Sequence, residues 1–165
     1  MVGPGNSQNR GNNYYNRGGQ GGGYERNASA APQQAASRQP IQPKQLPENY
    51  VDEAEKVMID IHDGAGSKIT TSKIRRFLTL ITEIMNDERR RLSDELMPSS
   101  IAKIQMARVR IAYEAGRDTV VKTFVDKSCL ICYLKGVGSS RKDFIKLGEY
   151  VEALVAWHRY LGGKD

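Results

Sequence analysis

The chain has 165 residues, a formal charge of +6 and a hydrophobic fraction of 39%, below the roughly 45–50% usual for a compact domain. No apolar run approaches the roughly 20 residues that span a bilayer, no secretory pattern opens the chain, and two cysteines do not make a disulfide scaffold. The expectation is a cytoplasmic protein without a membrane partner, built as one domain plus a tail.

The apolar deficit is local. Residues 1–46 hold 8 of the 16 glycines and 4 of the 6 prolines, with few sizeable apolar side chains, so this segment cannot offset the entropy of ordering its backbone. It reads as a disordered Gly/Asn/Gln/Arg-rich tail, and residues 47–165 as the folded domain. The tail carries a net +4, from Arg10, Arg17, Arg26, Arg38 and Lys44 against Glu25, and the rest of the chain a net +2. Arg17-Gly18-Gly19, with Tyr14, Tyr15 and Tyr24 nearby, resembles an arginine-glycine-rich RNA-binding tail, in which guanidinium and phenol rings stack on bases. The plainer reading is a solubilising leader.

After Pro47 the periodicity becomes helical. Tyr50, Ala54, Val57, Met58 and Ile61 recur at spacings of three and four, and Gly64 to Gly66 ends that run. Thr70 to Ser72 offer N-caps to a second helix whose stripe is Ile74, Phe77, Leu78, Ile81, Ile84 and Met85. Pro98-Ser99-Ser100 opens a third, Ile101 to about Ala115, with Gly116 as its cap or break. A fourth runs from Asp118 to Leu134 and Gly136, with Ser128 as a point of interruption. Ser140 to Asp143 form a capping-box-like start to the last, striped by Phe144, Leu147, Val151, Leu154, Val155 and His158. No alternating strand segment is visible. The expected fold is all-α, a compact bundle of about five helices.

Because the folded part is nearly charge-balanced, any polyanion affinity must come from where its charges sit. On the second helix Lys73 and Arg76 share one flank, and Arg75 takes the other. On the third, Lys103, Arg110 and Glu114 share a polar face with Ala107 beside them. Arg108 and Gln105 fall inside the apolar arc of Ile101, Ile104, Ile111 and Ala112. A charge there must be paired, reach out to water, or face a partner, so Arg108 is either a structural ion-pair member or a ligand contact. Arg117 and Lys122 extend the basic set beyond Gly116. Arg117 could meet a phosphate together with backbone N–H groups, or pair with Asp118 or Glu114.

Chemistry-bearing residues are sparse. Cys129 and Cys132 form a lone C-x-x-C without the further ligands a zinc site needs, and read as small core cysteines. His62 and His158 have no visible nucleophile or second ligand. Gly64 to Lys68 lack the phosphate-loop spacing. No enzyme, metal or cofactor is expected.

Residues from about Tyr50 to Asp165 resemble the small helical subunit of type III-A CRISPR effector (Csm) complexes. The resemblance rests on Ile69 to Arg75, on Val109-Arg110-Ile111-Ala112-Tyr113-Glu114-Ala115-Gly116-Arg117-Asp118, and on the ending from Tyr150 to Asp165. It does not extend to residues 1–46. It implies a five- or six-helix protein without catalytic activity, copies of which stack along the guide-bearing backbone beneath a large polymerase-like subunit. The implied partners are guide and target RNA, the other subunits, including those of the backbone, and copies of itself. In that family basic residues of the central helices face RNA, which carries over to Lys73, Arg75, Arg110 and Arg117. Arg76 and Lys122 join them from the helical wheel, and Arg108 from its unexplained place. Two other functions compete: a purely protein-binding spacer, and a general RNA-binding protein driven by its tail.

Overall fold

The computed structural model describes residues 39–64 and 68–164. The tail expected over residues 1–46 falls outside them as far as residue 38. Among the described residues lie six helices: α1 (Tyr50–Asp63), α2 (Thr71–Arg89), α3 (Pro98–Arg117), α4 (Thr119–Lys127), α5 (Leu130–Gly136) and α6 (Arg141–Tyr160). The only strand-like feature among them is an isolated bridge, Glu95 to Ser140.

The helix starts follow local chemistry. Thr70 Oγ1 accepts from the Lys73 N–H at 3.4 Å, and Ser140 Oγ from the Asp143 N–H at 3.2 Å, as the cap signals predict. Pro98 occupies the first turn of α3, where its missing N–H costs nothing. Gly116 does not break α3, which continues through it to Arg117. The break falls at Asp118, whose extended backbone (φ −136°) ends α3 while its carboxylate caps α4, accepting from Val120 N at 2.9 Å and Val121 N at 3.3 Å.

The interruption near Ser128 is real and yields two helices. Cys129 sits in the left-handed region at φ 49°, uncommon for a residue with a Cβ. The buried Ser128 carbonyl accepts from the Tyr150 hydroxyl at 3.0 Å, a tertiary bond at the point where helical bonding stops. Burial pushes the Tyr150 phenol well above its ordinary pKa. Both cysteines are half-buried, more open than their reading as core residues implied.

One apolar core joins the elements. α6 packs against α1 and α2, α2 against α3, and α3 against α4 and α5. Phe77 and Phe124 stack at 6.1 Å between centroids, tying α2 to α4, and Tyr133 meets Tyr150 edge-on at 5.6 Å. The buried arc of α3 is Ser100, Ile104, Ala107, Ile111 and Ala115. Relative to the wheel it is rotated: Ala107, assigned to the polar side, is buried, whereas Ala112 is exposed. The C-terminal end of the core is tied to the start of α2 by backbone, since Lys164 O accepts from Thr71 N at 2.8 Å.

Packing onto the core extends N-terminal of Pro47. Residues 39–46 cross α5 without regular secondary structure, with Leu46 buried and Lys44 N donating to Cys132 O at 3.0 Å. Gln45 Nε2 donates to Gly136 O at 2.8 Å, and Lys135 Nζ donates to Ile41 O. Composition hid this strap because main-chain bonds and a single leucine, rather than an apolar stripe, hold it. No helix of the described residues is long and apolar enough to cross a membrane.

Candidate nucleic-acid interface

The α2/α3 contact leaves a furrow on its outer side, formed by three adjoining depressions. The middle one, about 370 Å³, is lined by Arg76, Phe77, Leu80, Arg110, Tyr113 and Glu114 among others. One neighbour, about 400 Å³, shares Arg110 and adds Lys103, Met106 and Glu83. The other shares Arg76 and Glu114 and adds Lys73 and Asp118. The helical wheel's pairing of Lys73 with Arg76, and of Lys103 with Arg110, therefore assembles into one channel-like surface.

Within it the cations are not equivalent. Lys73 Nζ is bonded to Asp118 Oδ2, fixing the start of α2 to the α3–α4 corner. That ammonium, with the Val121 N–H next in weight, holds the Asp118 carboxyl below its usual range. Lys103 is paired to Asp87 at 3.1 Å, and its hydrogen bond holds that carboxyl down in the same way. Arg76 and Arg110 are exposed and make no ion pair among the described residues. Glu83 and Glu114 share the furrow, so its net charge is low and its unpaired cations are the Arg76 and Arg110 guanidinium groups.

The remaining candidates stand apart. Arg75 is exposed but does not line the furrow. Lys122 is paired with Asp126 one turn along α4. Arg108 is half-buried, its Nη1 donating to Gln105 Oε1, and its buried Nε has no partner; the reading of Arg108 as an ion-pair member fails, because its neighbour is an amide. Arg117 pairs with neither Asp118 nor Glu114. Its guanidinium lies over the Tyr113 ring, 5.3 Å from the centroid.

Tyr113 is not among the candidates that the sequence suggests. It is 62% exposed, and α3 also exposes Met106 and Val109 at helical spacing from it. The available signal is a large aromatic three residues after Arg110 and four before Arg117. No group of acidic, histidine or cysteine side chains suited to a metal ion occurs among the described residues.

Residues 44–164 match the family model described as Csm2 Type III-A. A protein of Mycobacterium tuberculosis (strain H37Rv) named CRISPR system Cms protein Csm2 is 34% identical over 121 residues, covering 73% of this chain and 97% of that protein. A protein of the same name from Streptococcus thermophilus is also 34% identical, over 72% of this chain and 95% of its own length. The Enterococcus italicus protein is 32% identical over 56% of this chain and 67% of its own. The match begins within the strap that crosses α5 and runs through every helix that builds the furrow. The chain thus belongs to the Csm2 family of type III-A CRISPR systems, the non-catalytic small subunits of a multi-subunit effector complex.

Proposed function

We propose that this subunit lines the RNA path of its complex with the α2/α3 furrow, contacting phosphates through Arg76 and Arg110. Guide–target pairing carries the sequence information, and the protein adds charge matched to the backbone. The observation that carries this reading is the contrast between two exposed, unpaired arginines and the paired Lys73 and Lys103 beside them in the furrow. Arg75 and Arg117 are accessory phosphate contacts at the margins; Lys73 and Lys122 are structural, whereas Arg108, which has no ion pair among the described residues and whose buried Nε has no partner, keeps its reading as a ligand contact. A few phosphates met per copy give weak, salt-sensitive binding, and stacked copies along the guide-bearing backbone multiply it. Exposed Val109 on α3, and Val51 and Ile59 on α1, supply apolar surface for neighbouring subunits and further copies.

The test uses the full chain and a single-stranded RNA titrated across salt concentrations. Arg76→Gln/Arg110→Gln is expected to weaken binding and to flatten the slope of log K against log salt by about 1.4, or roughly 0.7 for each phosphate that an arginine neutralises in the parent. Helix content stays as in the parent. Lys122→Gln changes neither quantity. An unchanged slope in the double variant refutes the furrow as the phosphate-binding surface.

A further inference from the structure

The furrow holds a group that phosphate recognition does not use. Tyr113 lies on α3 between Arg110 and Arg117, the residue 62% exposed and the Arg117 guanidinium 5.3 Å from its ring centroid. An isolated protein gains little from leaving a tyrosine ring in water, and a ring with a cation over it is already oriented. Arg76 and Arg110 line the same depression, so a strand whose phosphates meet those arginines passes beside the ring. Phosphate recognition needs only charge; a flat aromatic face serves a flat partner.

We propose that Tyr113, oriented by Arg117, is a stacking platform for an unpaired RNA base, so that the furrow binds single-stranded or locally unpaired RNA in preference to a continuous duplex. The inference rests on the furrow being the RNA-binding surface. It goes beyond that reading because bases inside an A-form helix are stacked on each other and have no face to offer. Stacking is tolerant of base identity, since every base has a π-face, and so adds affinity without adding sequence preference. Its signature differs from that of the arginines: removing the ring lowers affinity equally at all salt concentrations, whereas removing an arginine changes the salt slope.

The experiment compares the full chain with Tyr113→Ala and Tyr113→Phe on two 12-nucleotide probes. One is an oligouridylate; the other carries abasic sugars at every position and keeps every phosphate. The parent and Tyr113→Phe are expected to bind the intact probe about tenfold more tightly than the abasic one. Tyr113→Ala binds both at the weaker level, with the parent's salt slope, and pairing the intact probe with its complement removes the parent's advantage. A Tyr113→Ala protein that still distinguishes the probes tenfold, or a parent that never does, overturns the platform. Arg76→Gln/Arg110→Gln separates the failures. If that variant loses affinity while Tyr113→Ala does not, stacking alone is wrong; if neither loses any, the furrow is not the RNA surface.

Discussion

Glu88→Ala is expected to lower the unfolding free energy by about 3 kcal/mol at neutral pH, a large loss for one residue near a helix end. Glu88 lies in the last turn of α2 yet has no exposed surface. One carboxylate oxygen accepts from Arg91 Nη1 at 2.8 Å, and the other accepts from Met97 N at 3.1 Å, closing the connection that leads into α3. Removing the carboxylate leaves the Met97 N–H unsatisfied and the Arg91 guanidinium without its charge partner. The same loop is held from the far side by Arg141, whose backbone N–H donates to Asp94 O at 2.9 Å, so the damage reaches the position of α3. Urea unfolding of the parent and variant measures the loss. A difference under about 1 kcal/mol, the value of an exposed pair, contradicts the assignment.

Glu88 also gives the stability a pH signature. Burial opposes its ionisation most strongly of any single influence, but polar neighbours that include the Arg91 guanidinium and the Met97 N–H together outweigh it and leave the carboxyl below its ordinary 4.5. A carboxyl that ionises at lower pH folded than unfolded contributes fully above the unfolded value and loses that contribution as pH falls through the folded one. The advantage of the parent over Glu88→Gln is therefore expected to be largest above about pH 5 and to shrink below pH 4.5. An advantage that grows on acidification contradicts the carboxylate's role.

The second large effect concerns the strap. Helix propensity favours alanine over glycine by about 1 kcal/mol in a helix, so Gly136→Ala in α5 looks stabilising by sequence alone. The structure reverses the sign. A Cβ at Gly136 falls 1.9 Å from Lys44 O and 2.6 Å from Lys44 C, both backbone atoms that no rotamer change can move aside. The strap must lift, giving up the bonds to Cys132 and Gly136 and the buried Leu46. A net loss of about 1–3 kcal/mol is expected, with trypsin cleavage at Lys44 accelerated well before global unfolding. A variant that is as stable and as resistant as the parent contradicts the close approach.

The contrast between Gly136 and Gly116 shows what the sequence could reveal. Both end an apolar-periodic run, and only context separates them: open space surrounds Gly116, so α3 passes straight through it, whereas another backbone crosses at Gly136. Helix stripes and caps are legible because they depend on residues three and four apart. Thr70 and Ser140 each cap the helix that their spacing announces. The strap is not legible, because its partners lie about 90 residues away along the chain.

The site divides the same way. A wheel for α2 puts Lys73 and Arg76 on one flank, and that is where they lie. It cannot show that Asp118, 45 residues on, ties up Lys73 while Arg76 stays unpaired. The third helix's wheel sets Arg108 among apolar residues, but it cannot rotate the buried arc toward Ala107, which is fixed by packing against α2 and α4. Tyr113 escapes notice in the sequence because an aromatic at helical spacing is ordinarily core; its exposure is a tertiary fact.

The central claim is that RNA runs along the α2/α3 furrow of this subunit. The most direct measurement is to purify the effector complex from its own cells, reload it with target RNA carrying 4-thiouridine, crosslink, and map the modified peptides. The account predicts crosslinks within Thr71–Arg89 and Pro98–Arg117, concentrated around Arg76, Arg110 and Tyr113 and abolished in Arg76→Gln/Arg110→Gln complexes that still assemble. Crosslinks confined to residues 1–38, or none on this subunit while its neighbours are labelled, would contradict it.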